Sequence, residues 1–171
     1  LAMDPAHVDP RVTRAARRLA LDDRDAAETD VEAGRALRRD EPRLLCMKGT
    51  VLLQRDRLDE AVAALDAALR ADPKYPAALV NRAVAAYQQN RFAAAVADLT
   101  ATLAIVGDDP DVLLNRGIAH RANGDPARAI TDLDRAITLP DADLAELHYE
   151  RGQCHLDAGD HESALADVEI C

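Results

Sequence analysis

The feature that most constrains this chain is a period. Sliding the 171-residue sequence by 34 residues places Gly49, Ala83 and Gly117 in register, with Ala15 one period upstream, and a 35-residue step then reaches Gly152. The same shift aligns Ala27, Ala61, Ala95, Ala129 and Ala164. A fixed repeat of this length marks stacked copies of one supersecondary unit, because so short a unit cannot bury its apolar faces alone. The register divides the chain into units 8–41, 42–75, 76–109, 110–144 and 145–171, the last of them truncated. Residues 1–7, which open with LAMDP, read as a cloning remnant or a disordered lead and stand outside the array.

Each unit carries two helical patterns separated by a turn residue. In the second, Leu44, Leu45, Lys48, Val51 and Leu52 recur at three- and four-residue spacing and predict a helix near 43–54. Ala61, Leu65, Ala68 and Leu69 predict another over 58–71, stopped by Asp72-Pro73 because proline cannot continue a helix. The same reading gives helices near 77–89 and 92–105 in the third unit and 111–122 and 126–138 in the fourth. The fifth begins near 142–145, with its second helix from about 162. Between each pair the turn position reads Asp22, Asp56, Asn90, Gly124 and Gly159, residues suited to a tight reversal. The first unit is the poorest copy. Arg14, Arg17 and Arg18 crowd its first helix, leaving Val12, Ala15, Ala16 and Leu19 as one small apolar stripe, and its second helix should run over 25–39. A polar outer face of this kind suits the cap of a repeat array. The second helix of the fifth unit is cut short at Cys171, which points to a fragment of a longer protein or a chain lacking a terminal cap, and an uncovered apolar end would seek a partner or a second copy.

Composition narrows the function. Hydrophobic residues are 49% of the chain but aromatics only 2%, so the core must be built from Ala, Leu and Val. Net charge is -10, and it is uneven, with 14 basic and 15 acidic residues over 1–75 against 7 and 16 over 76–171. An acidic chain repels a phosphate backbone, which argues against nucleic acid as a partner, RNA-binding helical repeats included. No apolar run is long enough to span a bilayer, so no membrane partner is expected. Cys46, Cys154 and Cys171 show neither paired spacing nor a zinc pattern and fit a reducing, cytoplasmic setting. No nucleophile elbow, phosphate loop or zinc-protease signature is present, so neither catalysis nor a cofactor is expected.

The residues Leu45, Gly49, Leu52, Ala61, Leu65, Ala68 and Pro73 stand in the order large, small, large, small, large, small and proline. At that spacing they resemble the tetratricopeptide repeat family, and the phrases Asn81-Arg82-Ala83 and Asn115-Arg116-Gly117 resemble a variant of its bacterial members. The packing logic agrees: Gly or Ala at the eighth position facing Ala at the twentieth lets the two helices cross closely, and larger neighbours lock the crossing. The resemblance implies an all-α, right-handed solenoid of about five antiparallel helix-turn-helix repeats, with the first helices lining a concave groove. In this family such a groove binds an extended peptide or a helix of another protein.

Carried over position by position, the groove falls on Val80, Asn81, Val84 and Tyr87, on Leu114, Asn115, Ile118 and Arg121, and on Tyr149, Glu150 and Gln153. Ala77, Gln88, Asp111, Ala122, Glu146, Leu156 and Asp157 fall on the same surface. Asn81 and Asn115 are the leading candidates, since a carboxamide offers both a donor and an acceptor to a peptide backbone; the alternative is that they are merely solvated. Asp111, Glu146, Glu150 and Asp157 could select a partner that is basic at the C-terminal end of the groove, or could form an ordinary solvated acidic face. The family's clamp for a C-terminal carboxylate needs basic residues where this chain has Cys46, Thr50, Val80, Val84, Asp111, Asn115, Glu146 and Glu150, which disfavours that ligand. His120 and His155 share a repeat position, with His148 and Cys154 nearby; packing is favoured over a metal site.

Cations recur at the seventh position, as Arg14, Lys48, Arg82, Arg116 and Arg151, and aspartates at the twenty-third, as Asp30, Asp98, Asp132 and Asp167, where the second unit has Ala64. They should pair to tie helices together, within a unit or across to the next. The chain is read as a protein-binding scaffold without catalysis. The alternatives are a self-assembly module that stacks through its C-terminal end, giving a homo-oligomer, and a regulatory segment of a larger enzyme or transcription regulator.

Overall fold

The computed structural model describes residues 10–21, 23–37 and 40–169. Ten α-helices and no strand occur among them: α1 (Pro10–Ala20), α2 (Arg24–Leu37), α3 (Pro42–Gln54), α4 (Leu58–Ala71), α5 (Pro76–Gln88), α6 (Phe92–Val106), α7 (Pro110–Ala122), α8 (Pro126–Ile137), α9 (Leu144–Asp157) and α10 (His161–Val168). The expected bounds shift by a residue or two at several ends. Prolines open five of these ten helices, because the first helical residue needs no N–H donor and its φ is already set. The expected α2 end at Arg39 and the expected turn residue Asp22 lie outside the described residues, as do residues 1–9, Ile170 and Cys171.

Each reversal is closed by the same bond. The amides of Asp23, Arg57, Arg91, Asp125 and Asp160 donate to the carbonyls of Arg18, Leu52, Ala86, His120 and His155 at 2.8–2.9 Å. This six-residue closure requires a left-handed residue in the turn. Asp56 (φ 57°), Asn90 (φ 59°), Gly124 (φ 81°) and Gly159 (φ 80°) supply it. Later helices add a side-chain cap. Asp109, Asp125, Asp143 and Asp160 accept from the amides of Val112, Arg128, Glu146 and Ser163 at 3.0–3.2 Å, which satisfies donors that the helix itself leaves open.

The chain forms two compact units, residues 1–85 and 86–171. In the first, α1 packs on α2 and α3 on α4, and α3 also lies against both α2 and α1. Ala15, Leu19, Ala27 and Val31 join Val51 in one core cluster, while Leu52, Ala61 and Ala64 form another. Ala16, expected in the apolar stripe of α1, is exposed, because one helical step of 100° carries it away from the buried pair Ala15 and Leu19. The close crossing shows at Gly49, where a Cβ would stand 2.5 Å from Leu65 Cγ.

In the second unit α6 packs on α7, α7 on α8, α8 on α9 and α9 on α10. Its core gathers Leu113, Leu114, Ala129, Leu133, Ala136, Leu147 and Cys154. Here the eighth-position glycines meet the twentieth-position alanines at the backbone: a Cβ on Gly117 would lie 3.4 Å from the Ala129 carbonyl oxygen, and one on Gly152 3.6 Å from that of Ala164.

The recurrent charges tie helices in both directions. Within a hairpin, Arg14 grips Asp30 (Nε–Oδ2 2.6 Å), Arg116 grips Asp132 through two bonds of 2.8 and 2.6 Å, and Arg151 reaches Asp167 at 2.5–3.2 Å. The same position also reaches back to the twenty-fifth residue of the preceding repeat. Lys48 pairs with Glu32 at 2.9 Å, Arg82 with Asp66 at 2.6 Å, and Arg151 with Asp134 at 2.6 Å, while Arg116 donates to the Thr100 hydroxyl at 3.3 Å. Arg116 and Arg151 therefore hold an acceptor on each side. Asp30, Asp132 and Asp167 are buried, which makes these pairs more consequential than surface ion pairs. Hydrogen bonds from Arg14 hold the Asp30 carboxyl below its usual value. Burial pushes the Asp167 carboxyl up, but the bonds from Arg151 and His148 outweigh it and the net direction is down.

Three expectations follow. Leu65→Ala or Leu133→Ala, each emptying a fully buried site, should cost about 2–5 kcal/mol in denaturant unfolding, and a loss below about 0.5 kcal/mol would contradict the packing register. Gly49→Ala and Gly152→Ala should differ in sign. The first forces the methyl into Leu65 and should cost up to about 2 kcal/mol net, whereas the second meets only ordinary contacts and should gain about 0.5–1 kcal/mol from helix propensity. Asp167→Asn should cost about 1–3 kcal/mol at neutral pH. A carboxyl depressed in the native state contributes stability above its unfolded pKa of about 4 and loses it as pH falls through the native value. The gap between wild type and Asp167→Asn should therefore close as unfolding is measured below about pH 4, and a gap independent of pH would reject the assignment.

Candidate functional site

The helices α5, α7 and α9 carry the predicted groove positions, and the two units present them differently. In the first unit Val80, Asn81 and Val84 are half-buried on α5. The Asn81 amide nitrogen donates to Thr50 Oγ1 at 2.9 Å and to Cys46 Sγ at 3.5 Å, both on α3. Thr50 in turn donates to the Cys46 carbonyl at 3.2 Å. The Asn81 donors are thus engaged, and its carbonyl oxygen is what remains to offer a ligand. Burial pushes the Cys46 thiol up to about 11, against the opposing bond from Asn81, so it stays protonated near neutrality. Sequence reasoning missed this trio. Its signal was the polar or sulfur-bearing pair Cys46 and Thr50, one helical turn apart on the helix preceding Asn81.

In the second unit Tyr87 is exposed and stacks edge-on against Phe92, with ring centroids 5.3 Å apart. Leu114, predicted to line the surface, is buried in the core cluster, and Ile118 packs partly against that cluster from the same helix. Asn115 is exposed, and its amide donates to the Asp111 carbonyl one turn earlier at 2.8 Å, which again leaves the side-chain oxygen as its acceptor. On α9 Tyr149 is 56% exposed, and Glu150 and Gln153 are half-buried.

Arg121 organises this part of the surface. Its guanidinium donates to Glu150 Oε2 at 3.2 Å and lies 3.6 Å from Asp157 Oδ2, so α7 and α9 are bridged across the face. Asp111 and Glu146 are exposed near the starts of α7 and α9. The predicted groove positions of this unit therefore hold four carboxylates and one cation, which two of the carboxylates engage.

The histidines sit in packing positions. His148 is buried with Nδ1 2.8 Å from Asp167 Oδ1. His155 Nε2 lies 3.9 Å from the other oxygen of Asp167. His120 is buried 3.9 Å from Asp132, and burial lowers its pKa despite the opposing field of that carboxylate. Among the described residues no three His, Cys, Asp or Glu side chains converge as metal ligands. Cys46 and Cys154 are free and buried, and burial pushes Cys154 up to about 11. No described helix is long and apolar enough to cross a membrane.

Known structures share this fold at low identity. MamA of Desulfovibrio magneticus RS-1, from its residue 41 to the end, superposes with a TM-score of 0.83 at 18% identity, covering 94% of this chain and 90% of that one. PilF of Pseudomonas aeruginosa gives 0.84 at 15% identity over 95% and 73%. YrrB, described as a tetratricopeptide repeat protein with an unusual peptide-binding site, gives 0.76 at 15% identity over 95% and 84%. No curated protein sequence matches. The tetratricopeptide repeat model matches residues 12–76, 46–110 and 113–169, nearly the whole described chain. Proteins built from this repeat generally mediate protein–protein interactions and are typically non-catalytic. With its hairpins, their turns and their spacing all in that register, the chain belongs to the tetratricopeptide repeat family.

Proposed function

We propose that the chain is a protein-binding scaffold that holds a partner's peptide or helix against the exposed faces of its first helices. The observation that carries this is the α7–α9 surface. Tyr149 stands 56% exposed on α9, the helix whose Glu150 and Asp157 fix the Arg121 guanidinium of α7. An aromatic ring and a positioned arginine are the side chains that most often anchor a protein interface, since both offer large contact area at small entropic cost. The surplus of carboxylates around Arg121 favours a partner segment carrying Lys or Arg. In the same unit Asn115, one of whose amide donors is engaged by the Asp111 carbonyl, would present its carbonyl oxygen to a peptide N–H.

The test is an affinity capture with the wild-type chain, followed by measured affinities for each protein recovered. Asn115→Ala removes one acceptor, worth about 0.5–1.5 kcal/mol, and should weaken a ligand held there by about two-fold to over ten-fold. Tyr149→Ala should weaken it by about ten-fold or more, and binding should fall as salt rises. A partner whose affinity is the same for wild type and both variants would place recognition elsewhere on the protein.

A further inference from the structure

The chain holds four asparagines, and one differs from the others in the residue that follows it. Asn81, Asn90 and Asn115 each precede an arginine, whereas Asn123 precedes Gly124. Asn81 lies in α5 and Asn115 in α7, where the helical ladder fixes the main chain. Asn123 caps the C-terminal end of α7 and is exposed in the turn to α8. A Cβ on Gly124 would find no atom within 4 Å, so nothing crowds the peptide link between the two residues. Glycine also turns about its own main-chain bonds more freely than any other residue.

From this juxtaposition we propose that Asn123 is a site of spontaneous deamidation, held in check by the turn that contains it. The main-chain nitrogen of Gly124 attacks Asn123 Cγ and closes a succinimide ring. The Cγ–Nδ2 bond breaks, and that nitrogen leaves as ammonia with the proton given up by the Gly124 amide. Water then opens the imide at one of its two carbonyls, leaving aspartate or isoaspartate. No other reactant is needed.

The folded turn opposes the first step in two ways. Asn123 stands at φ −80° and ψ 3°, which holds the Gly124 nitrogen away from the Asn123 Cγ, so ring closure requires ψ to rotate. The Gly124 amide also donates to the Arg121 carbonyl at 2.9 Å, and the Asp125 amide to the His120 carbonyl at 2.9 Å. Rotation about ψ of Asn123 breaks both bonds. The reaction therefore runs from a locally opened state, and the population of that state sets its rate. The products keep the turn from closing as before. A carboxylate at residue 123 faces the negative end of the α7 dipole, and isoaspartate lengthens the main chain by one carbon inside the closure from Asp125 to His120. The change falls on the end of α7 that carries Arg121.

The test is peptide mapping of the whole chain during incubation in mildly alkaline buffer, since trypsin releases residues 122–128 as one fragment. Asn90 is also exposed in a turn and isolates the effect of the following residue. In denaturant, Asn123 should convert about ten-fold or more faster than Asn90, with aspartate and isoaspartate both formed. In the folded chain it should convert about ten-fold or more slower than in denaturant. Leu133→Ala, which empties a fully buried site in the same unit, should speed the folded-state reaction, and Leu65→Ala in the other unit should not. Asp125→Ala, which removes only the side-chain cap on the Arg128 amide, should speed it as well and serves if Leu133→Ala does not fold. The converted chain, separated by its added negative charge, should exchange the Gly124 and Asp125 amides faster than the unconverted chain. A denatured-state rate at Asn123 no faster than at Asn90 overturns the inference. So does a folded chain that converts as fast as the denatured one or not at all, or a rate indifferent to Leu133→Ala and Asp125→Ala. Equal amide exchange in the two forms overturns the loosening of the turn.

Discussion

A hairpin of two short helices cannot bury both of its faces, and nearly everything in this structure answers that constraint. Leu65, Leu113, Leu133 and Leu147 are fully buried only because a neighbouring helix lies over what their own hairpin leaves uncovered. The helices approach closely because the eighth position of the first helix is Gly or Ala, so a leucine two turns into the second helix can fill the crossing. With one phenylalanine, three tyrosines and no tryptophan in the whole chain, the interior is made from small and medium aliphatic side chains. Such a core works only at short interhelical distance. The period is thus a packing requirement rather than a historical imprint alone.

The features legible in the sequence are those set by backbone geometry. Turn residues were identifiable because only Gly, Asn and Asp adopt positive φ readily, and Asp56, Asn90, Gly124 and Gly159 do so. Helix starts were identifiable from proline, and buried positions from the three- and four-residue spacing of Ala, Leu and Val. The directions of long side chains were not. An arginine at the seventh position can reach either its own hairpin or the preceding one, and sequence offered both partners; the structure uses both at Arg116 and Arg151. The acceptor at position 25 went unread because it alternates between Glu, Asp and Thr.

The groove was less legible for the same reason. Leu114 stands at a position that a repeat register assigns to the surface, yet on this helix it joins Leu113 in the core cluster. Asn81 was read as a peptide-binding amide or a merely solvated one, whereas its donors turn inward to Thr50 and Cys46. A carboxamide on a half-buried surface takes whichever acceptor lies within reach, and that depends on two residues a full repeat away.

The charge of the C-terminal half follows from the same ion pairs. Residues 76–171 contain only seven basic side chains against sixteen acidic ones. Of the seven, Arg82, Arg116, Arg121, Arg128, Arg135 and Arg151 each hold a carboxylate, and Arg82 and Arg151 do so where successive hairpins join. Cations committed to holding helices together are not available to neutralise the remaining surface. The acidic character of the surface in this half is therefore a consequence of how the hairpins are fastened. A basic segment approaching that surface meets carboxylates left over from the internal pairing, while an acidic one is turned away at distances of about 8–10 Å, the screening length at physiological salt.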